Sequence, residues 1–393
     1  MHIALLGRQP ALSIAELERT FSRVSWFSAD TALVDTESFD IQKLGGTQKA
    51  GKVAFEINAT NDWRRVTDAI IQHYSRKWGS YDGKITLGLS AYGVDVNVRD
   101  LQKVGLILKG KLKGKGASIR LIPNQEVALS SATSHHNKLG LAANKVELMI
   151  IKGGKSIIVA ESTGAQNITA LAARDQGRPR RDAFVGMLPP KLAQIMINLA
   201  GPIDKDPESD LLKPRILDPF CGTGVLLQEA MLMDYAVYGT DLAEKMIRFS
   251  RDNLNWLQDT YRFTAEWYLH EGDAVDTKWQ QPVDAVVSES YLGQPFSAPP
   301  SSAKLIEVRG NCNFIITGFL RNLNAQLKSG TPVVLAVPAW KDKEGRFTHL
   351  PLIDNLEELG FEQVKFETVP TEQLLYHRPD QVVARELLVL TKI

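Results

Sequence analysis

The segment Leu217-Asp218-Pro219-Phe220-Cys221-Gly222-Thr223-Gly224 places one carboxylate and two glycines directly before an apolar run that reads as a helix. Glycines let the backbone come close to a ligand and open the helix N-terminus to it. In the dinucleotide-binding pattern a third glycine allows tight helix–strand packing, and Leu227 stands where that glycine would fall. A G-x-G on its own also fits a plain structural turn. Asp241 adds weight: it ends the next strand, 17 residues after Gly224, where a carboxylate can accept both hydroxyls of a ribose. A third acid, Asp273, closes the strand after that. Carboxylates gathered at one crevice repel a pyrophosphate and suit a cation that carries ribose and adenine. S-adenosylmethionine is such a ligand. Further on, Glu289-Ser290-Tyr291-Leu292-Gly293 turns a fourth buried strand into a polar, aromatic-bearing loop.

These residues need a sheet whose strands all end on one side. Residues 215–393 supply it. "RILDPF", "AVYGTDL", "EWYLHEGDA", "VDAVVSES" and "PVVLAVPAW" read as strands separated by amphipathic helices. Runs rich in Val, Ile and Leu predict a parallel sheet covered on both faces. "FEQVKFETV" and "RELLVLTKI" predict a closing antiparallel pair. The expectation for this half is a doubly wound α/β sheet with an antiparallel last strand.

The first half is α+β, because its helices and strands do not alternate strictly. It predicts two small units, residues 1–80 and 81–170. Ser13 is read as a helix N-cap with Glu16 three residues on, and Gly153-Gly154 as a hairpin turn. Residues 171–214 read as an Arg-rich linker followed by a helix that opens on proline.

With 393 residues, two or three domains are expected. Two cysteines give neither a disulfide framework nor a cysteine-based zinc site, and no metal is expected. The N-terminus reads as a first strand and helix rather than a signal peptide. No apolar run reaches the ~20 residues of a membrane span, and the lack of a disulfide framework fits a reducing cytoplasm. The net charge of +1 hides an asymmetry. Residues 1–200 hold 27 Lys and Arg against 17 Asp and Glu, a balance of +10, whereas residues 201–393 hold 19 against 28, a balance of −9. Lys109, Lys111, Lys113 and Lys115 form the densest basic run. Phosphate contact and a solvated helix face are both open to it.

At these motifs the chain resembles a family. Asp218 to Gly224, Asp241 and Asp273 match the class I methyltransferase pattern. "ARDQGRPRRDAFVGMLPPKLAQIMINLAG" is similar to the linker of THUMP-domain tRNA guanosine N2-methyltransferases, the group that modifies the guanosine at position ten. "LGRQPALSIAEL", "LGGTQKAGKV" and "ELMIIKGGKSIIVAES" are similar to that family's N-terminal modules, and "YHRPDQVVARELLVL" to its last strands. The resemblance implies a ferredoxin-like module at 1–80, a THUMP-like RNA-binding module at 81–170, a linker and helix at 171–214, and a Rossmann-like methyltransferase domain at 215–393. It implies that Asp218, Phe220, Gly222 and Gly224 line the methionine side of the cofactor. Asp241 and Leu242 would hold the ribose, and Asp273 and Ala274 the adenine. The lysine run with Arg178, Arg180 and Arg181 would grip tRNA, and a small activating subunit is compatible with the group.

The catalytic loop departs from that family. The usual Asp/Asn-Pro-Pro-Tyr becomes Glu289-Ser290-Tyr291. A guanine amine is a poor nucleophile, because its lone pair is delocalised into the ring. A carboxylate oxygen that accepts its N–H aims that pair at a methyl group. Glu289 has the right charge but about 1.5 Å of extra reach, and a misplacement of ~1 Å can cost ~100-fold in rate. Tyr291 falls one place early for the stacking aromatic. The coherent set of changes favours a remodelled loop over a ruined one. Open beside it are a non-catalytic tRNA-binding protein that keeps the cofactor pocket, and an amino-methyltransferase acting on another RNA or on DNA.

Overall fold

The computed structural model describes residues 1–182 and 187–393, so residues 183–186 of the linker motif lie outside the described residues. The chain divides into two units. One holds residues 1–10, 21–42 and 47–170, and the other holds 11–20, 43–46 and 171–393.

In chain order the first half runs β1 (His2–Leu6), α1 (Pro10–Thr20), β2 (Val24–Ser28), β3 (Thr31–Val34), β4 (Thr47–Asn58) and α2 (Trp63–Lys77). It continues with β5 (Gly83–Tyr92), α3 (Val98–Leu112), β6 (Ala117–Leu121), α4 (Ser131–His136), β7 (Lys145–Lys152) and β8 (Ser156–Ala165). All its strands join one eight-stranded sheet, ordered β2-β3-β1-β4-β8-β7-β5-β6. The two units expected at 1–80 and 81–170 thus share a sheet. The reason is β8: it returns from β7 through the predicted Gly153-Gly154 turn and pairs along its length with β4, which precedes the expected boundary.

Helices α2 and α3 are started by Asp62 and Asn97, whose side chains accept N–H bonds from Arg64 and Asp100. Their apolar stripes, including Ile70, Tyr74, Leu101, Val104 and Leu108, pack with Leu87, Leu148 and Ile150 of the sheet. Every second residue of β7 faces the other way, where Met149 and Ile151 meet Ile3 and Ile158.

The other unit contains α5 from Leu171 onward (Ile168–Gln176), α6 (Pro190–Leu199), β9 (Arg215–Asp218), α7 (Val225–Leu232), β10 (Ala236–Asp241), α8 (Glu244–Tyr261), β11 (Trp267–Glu271) and β12 (Ala285–Glu289). After these come α9 (Ser302–Asn324), β13 (Pro332–Lys341), β14 (Phe347–Thr348), β15 (Phe361–Gln363), β16 (Leu375–Tyr376) and β17 (Val383–Lys392). The sheet order is β11-β10-β9-β12-β13-β17-β15, with β14 on β13 and β16 on β17. Strands β9 to β13 are parallel, and β17 is antiparallel to both its neighbours, β13 and β15. This is the predicted doubly wound sheet, and its order reverses between β9 and β12. A crevice opens there, outside the carboxyl ends of the strands.

One element crosses the expected domain plan. Helix α1 groups with α6 rather than with its sequence neighbours. Ser13 lies inside α1 and not at its cap, because the helix begins at Pro10. Glu16 is fully buried, and its carboxylate accepts N–H bonds from Gly45, Gly46 and the Asn198 amide at 2.7–2.8 Å. Burial pushes its pKa up to about 7 against those bonds. Arg19 donates to the carbonyls of Leu199 and Ala200, which satisfies the end of α6.

Candidate active site

Asp218 ends β9 at the reversal point and is almost completely buried. It accepts the Ser288 hydroxyl at 2.6 Å and, more weakly, the Phe220 N–H at 3.3 Å. Desolvation is the main reason its pKa rises, to about 7, and the charges of Asp241 and Glu289 push the same way. After Asp218 the chain turns through Gly222 and Gly224 with φ of 51° and 78°, a region that favours glycine. At Gly224 a Cβ would also stand 2.9 Å from the Ser250 hydroxyl, so the close approach requires glycine twice over. Asp241 at the end of β10 braces this turn. One of its oxygens accepts the Gly222 N–H at 2.9 Å and the other the Ala243 N–H at 3.0 Å. Each oxygen keeps a second acceptor direction for a ligand hydroxyl. Leu242 beside it is 68% exposed, an apolar side chain held open at the rim.

Two residues that the sequence reading passed over hold the turn from behind. Ser250 donates to the Gly222 carbonyl, and fully buried Asn253 bonds the Thr223 carbonyl together with both the N–H and C=O of Arg180. Asn253 therefore ties the linker to the glycine turn. Both sit within the buried stripe of α8, among Met246, Ile247, Leu254 and Leu257. A polar residue inside an apolar stripe was the available signal.

The adenine-side residues behave differently. Asp273 lies beyond β11, the edge strand, is exposed, and accepts the Val275 N–H in a local turn. The carboxylate that joins Asp218 and Asp241 electrostatically is Glu289, not Asp273. The Ala274 methyl packs into the core, so that residue can offer a ligand its backbone only. Phe220 is half-buried and meets Phe319 edge to face at 5.1 Å. Cys221 is buried within the turn, and burial holds its thiol pKa well up.

Glu289 ends β12, the strand next to β9. Its Oε1 accepts Nε of Arg385 from β17, a partner absent from the sequence reading. Ser290 follows, and its N–H donates to the Ala336 carbonyl at 3.0 Å, extending the ladder with β13 by one residue. A proline there has no N–H to give. Tyr291 is 41% exposed and lines an open groove with Gln294, Glu307, Val308 and Asn311.

Of the basic residues, Lys109, Lys111, Lys113 and Lys115 are all exposed on the last turn of α3 and the loop after it. Arg180 is exposed but paired with Asp252 at 2.7 Å, and Arg181 is exposed. Arg178 corrects the expectation of a surface grip. It is 3% exposed, and none of its guanidinium nitrogens has a hydrogen-bond partner among the described residues. The α5 turn and the linker bury it beside the Arg174–Glu229 ion pair.

Residues 178–310 match the family model described as UPF0020, RMKL-like, methyltransferase domain. This part of the chain is similar to that methyltransferase domain. Over 173 residues the chain is 34% identical to the tRNA (guanine(10)-N2)-dimethyltransferase of Methanothermobacter thermautotrophicus, covering 43% of this chain and 45% of that protein. Over 111 residues it is 33% identical to the protein of the same name from Pyrococcus abyssi, covering 28% and 26%. The chain thus matches less than half the length of either archaeal relative. The crystal structure of TrmN from Thermus thermophilus superposes with a TM-score of 0.53 at 15% identity, covering 100% of this chain and 99% of that one, a likeness of fold. The match to the methyltransferase domain contains Asp218, the glycine turn, Asp241 and Glu289, the residues that the sheet brings to one crevice. No helix among the described residues is long and apolar enough to cross a membrane.

Proposed function

We propose that this chain is an S-adenosylmethionine-dependent tRNA methyltransferase that modifies the exocyclic N2 of a guanosine. The observation that carries the reading is the grouping of Asp218, Asp241 and Glu289 around one glycine turn, with Tyr291 of the groove two residues after Glu289. The names of the two archaeal relatives point to the same substrate.

The residues present fit the cofactor. A buried carboxyl beside two left-handed glycines suits a cationic centre, and no phosphate-binding lysine follows the turn. Asp218, Phe220, Gly222 and Gly224 would hold the methionine side. Asp241 and exposed Leu242 would take the ribose, and the backbone at Asp273–Ala274 would border the adenine. When bound, the cofactor supplies an electrophilic methyl group. The chain's own part is to admit a base against Tyr291, accept an amine N–H on Glu289, and keep the carboxylates around the positive charge.

The first unit is assigned as the RNA-binding part, with ferredoxin-like and THUMP-like segments at 1–80 and 81–170. Its exposed lysine run would meet tRNA phosphates, and the linker and helix at 171–214 would join it to the domain from 215. A cytoplasmic location and a small activating subunit belong to the same reading.

The deciding experiment incubates the protein with tRNA and labelled S-adenosylmethionine and analyses the nucleosides by mass spectrometry. N2-methylguanosine, or its dimethyl form, is the expected product. Cofactor binding without methyl transfer to any RNA would leave a binding protein with an idle pocket and end the proposal.

A further inference from the structure

Strand β17 runs antiparallel to β13, so it begins at the sheet edge where the parallel strands end. Arg385 is its third residue. The registers pair Glu289 with Ala336, and Pro338 with Arg385. Directly paired residues share a face, so all four lie on the same side of the sheet. Neither Ala336 nor Pro338 carries a long side chain to separate the two charges. The guanidinium thus reaches over β13, and its Nε donates to Glu289 Oε1. The side chains are 10% and 15% exposed. Glu289 Oε2 accepts no hydrogen bond from the described residues.

A buried charge is costly unless paired. Here the pairing also answers the difficulty of the long acid. A glutamate has one more rotatable bond than the aspartate of the related loops, and an unpinned carboxylate spreads over more positions than the reaction tolerates. Fixing one oxygen removes that freedom and leaves the other to face a substrate.

We propose that Arg385 is a positioning residue: it pins Oε1 of Glu289 so that Oε2 receives an N–H of the exocyclic amine. This rests on the proposed function. In that step the amine nitrogen bonds to the methyl carbon as the methyl–sulfur bond breaks and its electron pair stays on sulfur. The proton released from nitrogen leaves by way of Oε2 to water.

The test uses full-length Arg385→Gln and Arg385→Lys, with Glu289→Gln as reference. Arg385→Gln is expected to lower kcat for tRNA methylation by about 30–100-fold. Dissociation constants for S-adenosylmethionine and tRNA should stay within about threefold. Arg385→Lys should restore part of kcat, because it returns the charge without the fixed fork. Wild-type kcat in Arg385→Gln, with only a lowered Tm, overturns the proposal. A second readout does not depend on turnover: the Glu289 carboxyl is followed by 13C NMR, assigned with Glu289→Gln. In Arg385→Gln its signal should move and broaden as the carboxylate loses its fixed position. An unchanged signal overturns the proposal in an active or an inactive protein. Absence of methyl transfer by the wild type would instead count against the proposed function.

Discussion

Each unit contains a glutamate paired with a cation, and the two are completed differently. Glu147 on β7 is fully buried. Its Oε1 accepts Lys49 and Ser90 and its Oε2 accepts Ser134, each at 2.5 Å, while its own N–H donates to the Ser162 hydroxyl. Lys49 in turn donates to the Leu129 carbonyl at 2.6 Å. The carboxylate itself is fully enclosed, and both its oxygens are taken. Glu289 sits at a strand end, with one oxygen held by Arg385 and no hydrogen bond to the other among the described residues. Both are charged pairs in protected places, so burial and ion pairing alone do not separate structure from site. Satisfaction does: a closed network stabilises, whereas an acceptor kept vacant serves something that arrives later.

The contrast breaks most directly by removing each carboxylate. Glu289→Gln keeps the shape and should lower kcat for methyl transfer by about 100-fold or more. Its Tm should stay within a few degrees of wild type, which thermal denaturation beside turnover assays would check. Glu147→Ala should do the reverse. It strands the Lys49 amine, whose pKa burial already lowers, and breaking such a pair costs about 3–5 kcal/mol. Urea titration should show that loss while kcat at low temperature stays near wild type. A Glu147 variant with full stability and no activity would reverse the assignment of the two sites.

The lysine run tests whether the first unit meets RNA. Replacing Lys109, Lys111, Lys113 and Lys115 together by Ala should weaken tRNA binding by about 10–100-fold and flatten the dependence of log K on log salt, with kcat at saturating tRNA unchanged. Unaltered binding would return these residues to the role of a solvated helix end.

Asp218 sharpens the comparison through pH. Its pKa of about 7 in the folded protein lies above its ordinary value, so the unliganded fold gains from the proton it keeps. That stabilisation is fully present at pH below the unfolded pKa and is lost as pH rises through about 7. A cationic cofactor prefers the ionised form. S-adenosylmethionine binding should therefore tighten as pH rises toward 7, weaken up to ~10-fold per unit below it, and release a proton. In Asp218→Asn the affinity should be lower and the pH dependence nearly flat, which calorimetry in two buffers would measure.

The second half of the fold was legible because its signals are local. Val- and Ile-rich strands, a glycine turn and amphipathic helices follow one another within short spans, and they also placed Asp218, Asp241 and Glu289. The first half depends on β4 meeting β8, a pairing of segments about a hundred residues apart that no local pattern announces. Helix α1 looked like the start of the N-terminal unit. Its membership in the other is written in Glu16 and Arg19, side chains whose partners Asn198 and Leu199 lie far along the chain. Arg385 was visible as a lone cation in "VARELLVL", and Ser250 and Asn253 as polar residues in an apolar stripe. Each was a mark of an unseen partner, without a statement of which.

Arg178 gives the smallest expected effect and the finest distinction. A buried guanidinium whose three nitrogens find no hydrogen-bond partner among the described residues is neither a closed network like that of Glu147 nor an acceptor like Glu289. Burial pushes its pKa down, and Asp175 opposes that only in part. Removing an unpaired buried charge while keeping the volume relieves a desolvation cost, so Arg178→Met should leave Tm within about 2 °C of wild type or raise it. As the side chain is covered, tRNA affinity should also hold. A tenfold or greater loss of tRNA affinity, with Tm unchanged, would mean that the guanidinium leaves its burial site to meet phosphate. Arg178 would then stand with Glu289 among the groups kept unsatisfied for a ligand.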